Sequence, residues 1–154
     1  MAKIAVVCAA GKEGRLWVEE AIARGHEVTG FVRSADQAVN PAAKKVVKDL
    51  FDITAADLEG FDVVIDAFGA WTPETLPLHR TSLMHLCDAL SGSKTRLLVV
   101  GGAGSLYVNK EHTLQVKDLD SFPEAFKPLA NMQGLALADL RKRDDVLWTF
   151  LSPA

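Results

Sequence analysis

Continuous apolar runs alternate with segments of helical spacing along this chain, and that alternation predicts its architecture. Ile4 to Val7 is an unbroken apolar run, as expected of a strand covered on both faces, and Leu16, Trp17, Glu20, Ala21 and Arg24 then follow at helical spacing. Arg24-Gly25-His26 reads as a helix end with glycine as its left-handed cap, and Val28 to Val32 reads as the next strand. Four more strands are expected over Lys45 to Asp49, Asp62 to Ala67, Arg96 to Val100 and Val146 to Leu151, and longer helices over Thr75 to Leu90 and Pro123 to Arg143. Strands alternating with helices predict an α/β fold on a mostly parallel sheet of about six strands, both faces covered.

The first turn carries the chemistry. A strand that passes through glycines into a helix presents the free N–H groups and positive dipole end of that helix, where a phosphate can approach closely. Aligned on G-x-G-x-x-G the chain offers Ala9, Gly11 and Gly14, and aligned on G-x-x-G-x-x-G it offers Cys8, Gly11 and Gly14. Either way two of the three glycines are present, and the strand-end position carries a side chain, which costs little only at negative φ. The same residues also suit a strand-to-helix turn without a ligand. Three further strand tips are small or turn-forming: Phe68-Gly69-Ala70, Gly101 to Ser105, and Ser152-Pro153-Ala154. In an open parallel sheet ligands lie outside the carboxyl ends of the strands, so these tips are placed to converge on one site, although turn geometry alone favours the same residue types.

Composition narrows the partners. A chain of 154 residues, 49% hydrophobic and 24% charged, has the length of one domain and the make-up of a soluble protein. A net charge of −3 argues against nucleic acid, whose phosphates select a basic surface. Arg141-Lys142-Arg143 reads as a solvated helix end facing the C-terminal dipole. Cys8 and Cys87 lie in apolar segments without metal-ligand spacing or a disulfide framework, which fits a cytoplasmic setting. Ile4 to Val7 is too short for an export signal, and no stretch has the length of a membrane span.

Read in order, C-A-A-G-K-E-G, R-G-H-E-V-T-G-F-V-R, D-V-V-I-D-A-F-G-A, L-L-V-V-G-G-A-G-S-L and W-T-F-L-S-P-A resemble an atypical short-chain dehydrogenase/reductase of the NADH-flavin reductase-like group, related to biliverdin reductase B and the NmrA-like proteins. The similarity runs over nearly the whole chain, and G-G-A-G-S-L and L-S-P-A are its most specific pieces. It implies a Rossmann-like, doubly wound NAD(P)-binding domain. By that resemblance the N–H groups of Ala10, Lys12 and Glu13 face the pyrophosphate, with Gly11 and Gly14 in their motif positions. Arg33, with Ser34 beside it, stands about twenty residues past the turn, where an NAD enzyme carries an acidic residue. A cation there favours a 2′-phosphate, hence NADP over NAD, while Asp36 nearby and a solvent-facing strand end offer the plainer reading. Asp49 and Leu50 match the group's adenine-contacting pair, though Asp49 also suits a turn. Phe68, Gly69 and Ala70 would line the ribose side, with Ala67 also at the cofactor, Gly101, Gly102 and Ser105 would lie near the nicotinamide, and Ser152 and Pro153 at its carboxamide. Trp71 suits either a cover for an aromatic substrate ring or a buried core position.

The chain also departs from the group's relatives. The Y-x-x-x-K acid of familiar short-chain dehydrogenases cannot be built, because Tyr107 is the only tyrosine and Glu111 stands four residues on. His79, His85 and His112 remain, and helical histidines read as packing or surface. The catalytic residues are thus unassigned, and no metal cluster is apparent. Hydride transfer to FMN, FAD or a quinone-like acceptor needs no protein acid, since the cofactors carry the chemistry. A non-catalytic NADP(H)-binding regulator is the competing reading. Members of the group continue beyond L-S-P-A, so the resemblance implies a domain over residues 1–154 that lacks its C-terminal lobe, with an open last strand available to a homodimer.

Overall fold

The structure, a computed structural model, describes residues 1–153. Ala154, grouped above with the last strand tip, lies outside the described residues. Six strands build one sheet: β1 (Lys3–Val7), β2 (Glu27–Val32), β3 (Lys44–Val47), β4 (Val63–Asp66), β5 (Arg96–Val100) and β6 (Leu147–Leu151). Every pairing is parallel, and the order across the sheet is β3-β2-β1-β4-β5-β6. The connecting helices are α1 (Lys12–Ala23), the single turn α2 (Ala55–Leu58), α3 (Leu78–Ala89) and α4 (Lys127–Leu140). This is an α/β Rossmann-like fold, and the chain reverses direction across the sheet between β1 and β4.

Alternation along β1 explains why its apolar run is unbroken. Ile4 and Val6 face a layer made with Val18 and Ala21 of α1, whereas Ala5 and Val7 face Leu83 and Leu86 of α3 and Leu137 and Leu140 of α4. Each fully buried leucine in that second layer contributes about 1.5–3 kcal/mol. Gly25 ends the first helix region at φ 78°, the left-handed value expected of a cap.

Strand ends shift by a residue in several places, and four larger differences from the sequence expectation each have a local reason. The third strand stops at Val47, because the Asp49 carboxylate accepts the Phe51 N–H at 2.9 Å and starts a 3-10 turn over Leu50–Asp52. α3 begins at Leu78 and not at Thr75, since Thr72 to Thr75 close a separate turn and Pro77 takes the cap. Pro123 opens a 3-10 turn over Glu124–Phe126, so α4 starts only at Lys127. It ends at Leu140, and Arg143 is not a solvated end: its guanidinium grips both carboxylate oxygens of Asp145 at 2.8 Å and Asp88 at 2.7 Å. Asp145 also accepts from Ser91 Oγ at 2.6 Å, tying the ends of α3 and α4 to the start of β6. Among the described residues, no helix is long and apolar enough to cross a membrane.

Candidate functional site

The turn after β1 is built on an unusual backbone angle. Cys8 has φ 60°, the left-handed region, so it occupies the first glycine position of G-x-x-G-x-x-G and its Cβ carries the cost that a negative φ would have avoided. Its carbonyl oxygen accepts the Gly11 N–H at 3.0 Å, and a Cβ on Gly14 would overlap that oxygen. Gly14 therefore serves close packing of helix on turn. Gly11 caps α1 without a side-chain acceptor, leaving the first-turn N–H groups open.

Those N–H groups border a cavity of about 550 Å³ at the carboxyl ends of the strands. Ala10, Gly11, Lys12 and Glu13 form one wall, Arg33, Asp49 and Leu50 one end, and Ala67, Phe68, Gly69, Gly101 and Pro153 the far side. The site thus spans the point where strand order reverses. Lys12 and Arg33 have no carboxylate partner among the described residues, whereas Lys48 is held by both oxygens of Asp57 at 2.7 Å. Trp71, 73% exposed, stands at the rim; its indole lies over Gly69, so the buried-core alternative is excluded. An open helix start, two free cations and an elongated cleft fit a dinucleotide.

A family profile described as NAD(P)H-binding matches residues 8–154. The chain belongs to this NAD(P)H-binding family. It is 44% identical to Bacillus subtilis YwnB, an uncharacterised protein, over 99% of this chain and 71% of that one. The crystal structure of a Streptococcus pneumoniae protein, a proposed NADH-flavin reductase, superposes with a TM-score of 0.93 at 51% identity, covering 100% of this chain and 72% of that one. A proposed exported protein from Burkholderia pseudomallei gives 0.86 at 35% identity, covering 100% and 73%.

Six residues of the expected NAD(P)H site stand off the cavity lining, among them Ala70, whose backbone meets His79 Nε2. Gly14 is spent on packing against Cys8. Ser34 donates its backbone N–H to Gln37 Oε1 at 3.2 Å, alongside the Arg33 N–H at 2.8 Å, so this glutamine shapes the loop that carries Arg33. Gly102 leaves room for Gln133, whose Oε1 would stand 2.7 Å from a Cβ there. Ser105 is buried in the 3-10 turn over Ala103–Ser105, and Ser152 is half-buried beyond β6.

The cavity also takes in residues that the sequence expectation left out, among them Phe51, His79 and Gln133. His79 is no surface histidine. It lies in the first turn of α3 with its ring edge-on to Phe68, centroids 5.3 Å apart, and its Nε2 stands 3.2 Å from the N of Ala70 and 3.0 Å from the O. Burial holds its pKa below the ordinary imidazole value. His85 instead bonds Ile53 O at 2.8 Å behind Phe51, and His112 stacks on Tyr107; neither lines the cleft. Burial, with the Asp66 charge, pushes the Cys8 thiol up to about 12, so it stays protonated. Asp66 itself, only 4% exposed at the end of β4, is raised to about 6 by burial, against the lowering effect of the Phe68 N–H that donates to its Oδ1 at 3.0 Å.

Proposed function

We propose that the protein is an NAD(P)H-dependent reductase that prefers NADPH and delivers hydride to a flavin or quinone-like acceptor. The observation that carries this reading is the single cleft running from Arg33 past the open start of α1 to Gly101 and Pro153, with an exposed aromatic at its rim. In this reading the N–H groups of Ala10, Gly11, Lys12 and Glu13 take the pyrophosphate, Arg33 the 2′-phosphate, Asp49 and Leu50 the adenine, and Ala67, Phe68 and Gly69 the ribose. Gly101 and Pro153 border the nicotinamide. Ser34, Gly102, Ser105 and Ser152 stand outside this lining, and Gly14 fixes the turn. When bound, the nicotinamide supplies hydride; the protein orients it and keeps water out. Trp71 is placed to stack on a planar acceptor, and the free thiols suit a reducing cytoplasm.

The similarity to a proposed NADH-flavin reductase supports the acceptor class. One observation favours the alternative of an NADP(H)-binding regulator without turnover: a side chain in a left-handed glycine position, beside the cofactor turn, with a thiol too basic to react. Calorimetric titration with NADPH and NADH, followed by absorbance at the nicotinamide band with FMN, a quinone and a simple ketone, tests both. Oxidation with FMN or quinone and none with ketone is expected. Tight NADPH binding with no oxidation of any acceptor overturns the reductase.

A further inference from the structure

Beside the main cleft lies a second, smaller cavity of about 20 Å³, bordered by residues of β4, β5, β6, α3 and α4. Phe68, His79, Val100, Gly101 and Gln133 border both spaces, so the chamber adjoins the far end of the cleft. Its other walls are apolar except for Asp66 and Ser82. Ser82 is 1% exposed, and its Oγ has no hydrogen-bond partner among the described residues. A buried hydroxyl left unpaired is costly, and a serine inside a helix ordinarily bonds the carbonyl one turn back, which this one does not. The volume suits one water molecule, and a water there meets polar partners.

We propose that this chamber holds a water between Ser82 Oγ and Asp66, and that carboxyl and water together form a proton reserve beside the nicotinamide end of the cleft. The inference rests on the reductase reading. An acceptor that takes hydride from a reduced nicotinamide gains two electrons and one hydrogen nucleus and is left as an anion. That anion takes its proton from the chamber water, at the boundary where His79 and Gln133, the two polar side chains shared by both spaces, face it. The water passes the proton on and is refilled by the Asp66 carboxyl, which becomes carboxylate and recovers its proton from solvent when the cleft empties. One hydride and one proton enter the acceptor per cycle.

The groups facing Asp66 are consistent with this work. Cys8 at the end of β1 and Cys87 on α3 are both thiols held protonated by burial, and His79 on α3 is biased toward its neutral form. From β5, β6 and α4 the facing residues are Val99, Phe150 and Gln133, all uncharged. Among the described residues no neighbouring cation draws the proton off, and burial favours the acid form. Asp66 is a proton-holding residue acting through water.

The test combines Asp66→Asn and Ser82→Ala with a readout that needs no turnover. In the full chain, with and without NADPH, isotope-edited infrared spectroscopy should show a protonated carboxyl band that fades as pH rises from 5 to 8, is absent in Asp66→Asn, and shifts in frequency in Ser82→Ala. Turnover with FMN should fall about a hundredfold in Asp66→Asn, with KM little changed and the decline of rate at rising pH abolished. A band that does not titrate in this range overturns the reserve, as does an unchanged pH profile in Asp66→Asn. So does a raised Tm in Ser82→Ala with no shift of the band, because a dry chamber gains stability when the unpaired hydroxyl is removed. Absence of turnover in the unmodified chain overturns the reductase reading instead, and the infrared titration then decides alone whether Asp66 and the water hold a proton.

Discussion

Gly14 lies so close under Cys8 that a side chain at position 14 would overlap the Cys8 carbonyl oxygen and stand 2.9 Å from Ala9 Cα. Backbone, not a flexible side chain, meets the new atom, so the turn itself has to move. Gly14→Ala is expected to destabilise the fold by about 1–3 kcal/mol despite alanine's better helix propensity, and to weaken NADPH binding. Urea unfolding and calorimetry read the two effects; a variant as stable as its parent would show that the turn is not fixed at this contact.

Cys8→Gly is expected to act in the opposite direction. Relief of the left-handed Cβ is worth about 1–2 kcal/mol, of which the greater freedom of glycine in the unfolded chain returns about 0.4–1. A small net stabilisation and equal or tighter NADPH binding follow, with no new activity. Weaker binding in that variant would mean that the cysteine side chain is fitted to the cofactor.

Arg33 borders the cleft with no carboxylate partner among the described residues, and its loop is set by Gln37. Arg33→Glu should lower NADPH affinity by about 1.5–3 kcal/mol and leave NADH far less affected, because one charge-assisted phosphate contact is removed. Equal affinities of the unmodified protein for both cofactors would rule out this selector.

Much of this cleft was legible in the sequence because its walls come from strand tips, and a parallel sheet gathers tips regardless of loop detail. Ala10, Phe68, Gly101 and Pro153 fall on the cavity for that reason. His79 and Gln133 were not legible: they arrive on helices, and which helical face meets the cleft depends on where α3 and α4 start, which Pro77 and Pro123 shift. Asp66 falls in sequence within an expected strand over Asp62 to Ala67. Only the packing of α3 and α4 over β4 shows that it is enclosed. The left-handed angle of Cys8 is equally invisible in composition, since a residue type states what an angle costs and not which angle is taken.

The raised pKa of Asp66 makes stability depend on pH. Its folded value of about 6 lies above the ordinary 3.8, so the folded chain binds more protons than the unfolded one between these values. The carboxyl's favourable contribution is complete below about pH 4 and is lost as pH rises through about 6. Asp66→Asn is expected to be more stable than its parent above pH 6, by at most about 2–3 kcal/mol, and to flatten the profile between pH 4 and 6. Parallel profiles for the two proteins would mean that Asp66 is not buried as a neutral acid.

The Arg143 and Asp145 pair gives the reverse sign at lower pH. The two-pronged guanidinium contact and the Ser91 hydroxyl hold the Asp145 carboxyl well below the ordinary carboxylate range, so its stabilising contribution is present above about pH 4 and is lost as pH falls further. Arg143→Ala and Asp145→Ala should each lower Tm at neutral pH, and the double variant should lose less than the sum. Additive losses would show that the contact carries no coupling energy.

The reversal of strand order between β1 and β4 bears on how the chain comes to function. One wall of the cleft comes from the turn after β1 and the other from segments beyond β4; the Asp62 N–H donates to Lys3 O at 2.9 Å, stitching β4 onto β1, and the Arg96 N–H to Asp62 O at 3.0 Å, stitching β5 onto β4. A chain emerging from the ribosome therefore owns its glycine turn early and its pocket late. Until β4 and β5 dock, no cleft exists for a ligand to enter. Ligand binding energy accordingly becomes energy that holds the two halves together, and a bound dinucleotide slows unfolding at the seam between β1 and β4 more than at the outer strands β3 and β6.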